Sequence, residues 1–344
     1  LADARFFWDQ DRKKRLDARV PALKDRLFHA KLGNDLQRAE RLRELASHLA
    51  RYVPNVDPVA AGRAAELCKA DLTTGMVGEF PELQGVMGRY YALAGGESRV
   101  VADAIAEHYR PLGPNDACPK APVSVAVALA DKIDTLAGFF SIGEKPTGSR
   151  DPFALRRAAL GVVRLIIENR LRLPLSEAFK LAVEKYWGQN IKEFRAGIES
   201  RIPQGTTSSP RQVAEAIWNV TMAEDALVFL LDRVKVQLKD KGLRHDVLDA
   251  AFSVVRPGGG PEDDLVRLLA RVNALKEFLA TPDGANLLVA YRRAANILKL
   301  EEKRDGLSYD APADPALLTL PEEMALDAAL KEAAPKIAAA IVAE

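Results

Sequence analysis

The side chains with chemistry to offer fall into short basic groups at helical spacing. Arg157, Gly161 and Arg164 stand at i, i+4 and i+7 in DPFALRRAALGVVRLIIE, so on a helix they share one face. Two guanidinium groups flanking a residue without a side chain can admit a close backbone, either a packed helix or a nucleic-acid strand. The alternative is an ordinary solvated face whose arginines snorkel or pair with Glu168. Arg292, Asn296 and Lys299 repeat the spacing in AYRRAANILKLEEK, with Lys303 one turn on. A fork donor, an amide and an ammonium in a row suit the phosphates and base edges of loop RNA. Arg12, Lys13, Lys14 and Arg15 form a third basic run, close to the aromatics Phe6 and Phe7. Such runs are usually solvated faces, and RNA contact is the less common use.

Several catalytic patterns are absent. The sequence has no P-loop, no GxGxxG, no HExxH, no GxSxG, and neither HIGH nor KMSKS. Cys68 and Cys118 are the only cysteines and form no CxxC pair, which argues against a zinc site or a disulfide framework. The lone histidines His108 and His245 read as surface or half-buried structural residues. Trp8, Trp187, Trp218 and the Tyr90–Tyr91 pair read as core.

The elements that must position these groups are helices. Asp151 can accept from the free N–H groups of a first turn, and Pro152 suits the first helical position. Phe153, Leu160, Val163 and Ile167 then recur as an apolar stripe. Helices are also expected over Asp9–Lys31 (interrupted at Pro21), Asp35–Tyr52, Ala60–Thr73, Phe80–Ala92, Val100–Tyr109 and Val123–Phe140. Further on they are expected over Leu175–Trp187, Asn190–Ser200, Arg211–Val236 and His245–Val255, with a hairpin of Glu262–Ala280 and Gly284–Lys303. Leu287, Tyr291, Ala294 and Leu298 form the expected buried side of that last helix, and an Ala-rich helix covers Glu322–Glu344. Pro203–Pro210 is the clearest linker. Almost nothing alternates with period two, so the chain reads as all-α.

The 344 residues suffice for two or three cores. Apolar content of 48% and charged content of 28% are ordinary for a soluble protein. A net charge of +1 means that any nucleic-acid site is a local patch. There is no membrane-spanning apolar run and no signal-peptide pattern, so a cytoplasmic protein is expected. A start at Leu1 fits a trimmed chain.

DARFFWDQDRKKRLD (Asp3–Asp17), KADLTTGMVGEFPELQGVMGRYYA (Lys69–Ala92), ALADKIDTLAGFFSIG (Ala128–Gly143) and the DPFALRRAALGVVRLIIE helix together resemble the β subunit of bacterial heterotetrameric glycyl-tRNA synthetases. The resemblance runs from about Asp3 to Leu173 and more loosely to about Lys303, and it is to the C-terminal half of that subunit. It implies an HD-like helical domain over residues 1–150, connecting helices and a linker over 151–210, and an anticodon-binding-type helical domain over 211–344, truncated at its end. It also implies an α-subunit partner that carries catalysis with ATP and Mg, glycine tRNA as the bound RNA, no cofactor in this chain, and no membrane role.

Ala65–Leu72 and Ala128–Leu136 resemble the metal-binding helices of HD-type phosphohydrolases. Such enzymes hold a divalent ion with a histidine, a His-Asp pair and a distant aspartate. Asp131 matches the distant aspartate and Asp71 the Asp of the pair. Ala70 stands where the paired histidine belongs, and Lys69 beside it would repel a cation. His29 and His48 are the candidates for the first ligand. The expectation is a lapsed metal site with Asp71 and Asp131 as remnants. The rival readings are an active phosphohydrolase and a helical scaffold without an RNA role.

Overall fold

The computed structural model describes residues 2–186, 210–255, 259–309, 311 and 313–343. Trp187, the helix expected at Asn190–Ser200, nearly all of the linker Pro203–Pro210, and Pro257-Gly258 lie outside the described residues. Among the described residues the regular elements are helices, one two-stranded hairpin, short 3-10 stretches and two isolated bridges. The chain is all-α, as its periodicity predicts.

It divides into two compact units, one of residues 1–244 with 263–266, the other of 245–262 with 267–344. The helices Leu155–Glu168 and Leu175–Glu184, expected to connect two domains, lie against the central helix of the first unit.

In that unit α1 (Ala2–Asp11) is followed by a 3-10 stretch, Asp17–Asp25, that contains Pro21. The helix expected over Asp9–Lys31 with an interruption at Pro21 does not form. Instead β1 (Leu27–His29) pairs antiparallel with β2 (Gly33–Asn34). Asn34 then caps α2 (Asp35–Leu49): its side chain accepts from Gln37 N at 3.0 Å, and the Gln37 side chain accepts from Asn34 N at 3.0 Å. Next come α3 (Pro58–Leu67), α4 (Gly75–Glu79), α5 (Val86–Ala94) and α6 (Arg99–Glu107). Asp11 is buried and caps α4, accepting from Gly75 N at 3.0 Å and Met76 N at 2.9 Å.

The axis of the unit is α7 (Pro122–Ser141). It is packed by α2, α3, α6, α8 (Leu155–Glu168), α9 (Leu175–Glu184) and α10 (Pro210–Asp240), and nearly every residue of it is buried. A helix surrounded in this way has no polar face, so its charged residues must find partners inside. Trp218, Leu227 and Leu230 of α10 are fully buried, each worth about 1.5–3 kcal/mol of transfer. The carboxylate of Asp263 accepts from the backbone N–H and hydroxyl of Ser176, and that of Asp264 from Arg172, tying 263–266 to the start of α9.

The second unit contains α11 (His245–Phe252), most of α12 (Leu265–Leu279), α13 (Pro282–Asp305) and α14 (Pro321–Ala343). Glu262 is buried and holds Arg267 at 2.7 Å and Arg271 at 2.9 Å. The Thr281 hydroxyl accepts from Gly284 N at 3.1 Å to start α13, and Gly306, at φ 67°, ends it. The apolar side of α13 is not buried here. Leu287 is 58% exposed, Tyr291 68% and Leu298 44%. The periodicity identifies an amphipathic helix correctly, but it contains no information on whether a second surface covers the apolar side.

Candidate functional site

Because α7 is buried all round, ADKID places three charges in the interior. Asp131 and Asp134 lie one turn apart and face Arg38 and Arg41, also one turn apart, on α2. Arg38 reaches Asp131 Oδ1 at 3.0 Å and Asp134 Oδ2 at 3.8 Å, while Arg41 reaches Asp134 Oδ1 at 2.8 Å. Tyr186 donates its hydroxyl to Asp134 Oδ1 at 2.9 Å, and the Arg41 guanidinium lies 4.2 Å over its ring. Lys69 closes the cluster. Its ammonium is 2.8 Å from Asp131 Oδ1, 2.9 Å from His108 Nε2 and 4.0 Å over the Tyr109 ring.

Burial pushes the Asp131 carboxyl upward, but the Lys69 ammonium and the Arg38 guanidinium outweigh it, and Asp131 stays ionised well below the usual range. His108 is fully buried rather than a surface residue; burial and the adjoining Lys69 ammonium hold it neutral, far below the ordinary imidazole range. Lys132, the next residue, is held by backbone carbonyls. Its ammonium donates to the carbonyls of Tyr109 at 3.0 Å and Arg110 at 2.9 Å, with His108 O at 3.4 Å. Burial lowers it to about 8.

This donor set does not fit a divalent metal. The Asp131 carboxylate is already neutralised by two protein cations, and an ammonium stands beside it. No group of three or more His, Cys, Asp or Glu side chains is placed to hold an ion among the described residues. Asp71 is turned to other work: its Oδ2 accepts from Gly85 N at 2.6 Å and Gly88 N at 3.0 Å, at the start of α5. Its Oδ1 is buried without a hydrogen-bond partner.

Burial raises the Asp71 carboxyl to about 6 against those two N–H groups. A folded pKa above the unfolded one favours the protonated form. The stabilisation is complete below the unfolded value near pH 4 and is lost as pH rises through about 6, amounting to about 3 kcal/mol at 1.36 kcal/mol per unit. Asp71→Asn keeps an acceptor and removes the titration. Its stability relative to the native protein should therefore rise by up to about 3 kcal/mol between pH 4 and pH 7.5. Urea midpoints at the two pH values test this; parallel changes in both proteins would mean that Asp71 does not titrate there.

Above Asp131 lies a cleft of about 500 Å³, walled by Phe28, His29, Phe139 and Phe153 and lined further by Arg38, Lys132 and Arg157. A second cleft of about 370 Å³ lies between the loop at Pro111–Pro114 and α8, bordered by Arg164, Glu168 and Lys241. Arg157 borders both; it is exposed and has no ion pair or hydrogen bond among the described residues.

The helix that carries Arg157 starts later than its sequence suggests. Asp151 is the capping residue, as expected, but it caps across a turn: Oδ1 accepts from Leu155 N at 2.8 Å and Oδ2 from Arg156 N at 3.0 Å. Pro152 and Phe153 are in the turn, and Ala154 sits in the left-handed region at φ 54°. This frees Phe153 from the helical stripe and stacks it on Phe139, with centroids 4.0 Å apart.

Arg157 and Arg164 do share a side of α8, but they differ in use. Arg164 is bound to Gly113 O at 2.7 Å and to Glu168 at 2.9 Å. Gly161 between them does not admit a foreign backbone. A Cβ built there would lie 2.6 Å from Lys132 Cε, so the glycine makes room for the stem of Lys132.

Arg12 and Lys13 are exposed at the end of α1, Arg12 3.9 Å from Asp9 and Lys13 bonded to Gln10. Arg292, Asn296 and Lys299 are exposed on the unbroken helix α13, with Arg292 3.6 Å from Asp246. Sequence reasoning missed Arg38, Arg41, Asp134, Lys132 and the aromatic walls. One signal was present: two acids three residues apart, with Lys132 between them, on a largely apolar twenty-residue segment require buried partners.

A family profile described as glycyl-tRNA synthetase beta subunit matches residues 1–253. The chain belongs to that family. It is 53% identical over its whole length to the glycine–tRNA ligase beta subunit of Rhodospirillum centenum, of which the match covers 44%. It is 47% identical over its whole length to that of Dinoroseobacter shibae, covering 47% of it. With that of Phenylobacterium zucineum it shares 48% identity over 92% of the chain, covering 40% of the relative. The chain thus spans about half the length of the curated relatives it matches or less. These shares give a length and do not assign the segment to the C-terminal half that the resemblance implied. No helix among the described residues is long and apolar enough to cross a membrane.

Proposed function

We propose that this chain is a tRNA-holding portion of a glycine–tRNA ligase β subunit. It positions glycine tRNA to receive the glycyl group at an α-subunit active site that activates glycine with ATP and Mg, in the cytoplasm, and carries out no bond chemistry itself. The observation that carries the reading is Arg157, an exposed guanidinium without an ion pair or hydrogen bond among the described residues, bordering two clefts with cationic linings. The phosphohydrolase reading is disfavoured by the Lys69 ammonium on Asp131. Arg292, Asn296 and Lys299 give a second, directional contact for an anticodon arm, and Arg12 and Lys13 a peripheral electrostatic one.

Filter binding of glycine tRNA and a non-cognate tRNA across a salt series tests this. Arg157→Ala should weaken both complexes and reduce the salt slope by about one, with an unchanged melting temperature, because a phosphate contact releases counterions. Arg164→Ala should instead lower the melting temperature, since its guanidinium holds Gly113 O and Glu168. A chain with no salt-sensitive tRNA binding would be a scaffold, and the proposal would fail.

A further inference from the structure

The ammonium that unfits Asp131 for a metal leaves the cleft above it suited to an anion. Three cationic side chains line it with one carboxylate, Asp131; Arg38 is held by Asp131 and Asp134 and the Lys132 ammonium by backbone carbonyls, so Arg157 is the lining cation left without a partner among the described residues. Its walls are aromatic and ordered among themselves. Phe153 stacks on Phe139 with the rings 20° apart, and His29 meets both rings edge-on at 5.4 and 5.5 Å. On the other side the Arg38 guanidinium lies 4.1 Å over the ring of Phe28. Phe28, His29 and Phe153 are only half-buried. Its volume of about 500 Å³ falls among small-molecule pockets, roughly 300–1,000 Å³. Aromatic platforms with a cation at the rim hold unstacked bases without regard to sequence.

We infer that this cleft takes one unpaired nucleotide, with its base laid against the Phe153 wall and its phosphate met by Arg157. Where that nucleotide belongs to a tRNA, the inference rests on the RNA-holding role proposed above; a free nucleotide has the same chemistry. Asp151 has a part in this. By capping α8 across a turn it holds Phe153 out of the helix, with Ala154 in a left-handed conformation that L residues rarely adopt.

The test compares 5′-AMP with ribose 5-phosphate, which keeps the phosphate and lacks the base, by calorimetry or ligand-observed NMR on the whole chain. The expected result is at least tenfold tighter binding of 5′-AMP. Phe153→Ala should erase that difference, and Arg157→Ala should weaken both ligands. Phe153→Ala removes a packed ring, so Ala158→Phe serves as a second variant. Ala158 lines the cleft from α8, and the added ring should block both ligands without deleting a contact.

A second arm uses single-stranded RNA ending in 2-aminopurine. Quenching that Ala158→Phe relieves identifies an RNA nucleotide as the occupant. With unquenched RNA but Phe153-dependent 5′-AMP binding, the occupant is a free nucleotide. Equal binding of 5′-AMP and ribose 5-phosphate, or binding of neither, with tRNA binding intact, overturns the inference and leaves the tRNA-holding role standing. Phe153-dependent 5′-AMP binding in a chain that does not hold tRNA does the reverse.

Discussion

Asp131→Ala should lower the stability of the first unit by about 3–5 kcal/mol, the usual result of removing one partner from a buried ion pair. The substitution leaves the Lys69 ammonium fully buried and facing the Arg38 guanidinium without the carboxylate that separates them. Losing one anion thereby strands two cations in a low-dielectric interior. Urea unfolding followed by tryptophan fluorescence measures the loss, since Trp8 and Trp218 both report on this unit. The pH dependence has a definite sign. Asp131 is held below its unfolded pKa, so its contribution is present above the unfolded value near 4 and is lost as pH falls through the folded value. The loss caused by Asp131→Ala should therefore shrink in acid. Replacing both partners, Lys69→Met with Asp131→Leu, should recover part of the stability, because it removes the stranded Lys69 ammonium and leaves Arg38 with Asp134 at 3.8 Å. An Asp131→Ala protein within about 1 kcal/mol of the native one at pH 7 would show that water reaches and screens the cluster.

Gly161→Ala should destabilise the same unit although alanine is the better helix former. Alanine gains about 1 kcal/mol over glycine inside a helix. Its Cβ, however, would fall 2.6 Å from Cε and 2.8 Å from Cδ of Lys132. A lysine stem normally yields at little cost. This one is anchored, since its ammonium donates to the carbonyls at the end of α6 and the loop that follows. Moving it breaks those bonds inside the protein, so the net cost should be about 1–3 kcal/mol, as for other overpacked sites. The decisive measurement is a double-mutant cycle. In a Lys132→Ala background the Gly161→Ala cost should vanish and become a gain near the helix-propensity value. A cost that survives the loss of Lys132 means that the glycine answers to something else, and Pro111 O, 3.8 Å from the built Cβ, is the nearest other atom recorded.

Legibility in the sequence followed the range of the interactions. α2 and α7 lie close to where their apolar periods predict, and Asp151 was identifiable as a cap, because periodicity and capping depend on residues within a turn or two. The start of α8 was misplaced by that same reasoning. Asp-Pro at a helix entrance reads as cap and first position, and a side chain that caps across a three-residue turn leaves almost the same local pattern. The long helix expected over Asp9–Lys31 failed because charge-rich residues around Pro21 have little apolar stripe to hold them helical. The exposed side of α13 had no local signature at all, since a stripe of leucines looks the same whether or not something covers it.

The sequence by itself determined that the chain is helical, that Asp71 lacks the paired histidine of a metal site because Ala70 stands in that position, and that Lys69 would oppose a cation. Only the tertiary structure decided what those residues do. Arg38 and Asp131, like Arg41 and Asp134, are 93 residues apart in the chain, and no local rule pairs them. Two arginines and two acids, each pair one turn apart, become a buried ladder only when α2 and α7 pack in one register. The same packing threads Lys132 past Gly161 and places Arg157 on the border of two clefts. The helical period fixes which residues share a face; what that face meets is set by the packing of distant helices.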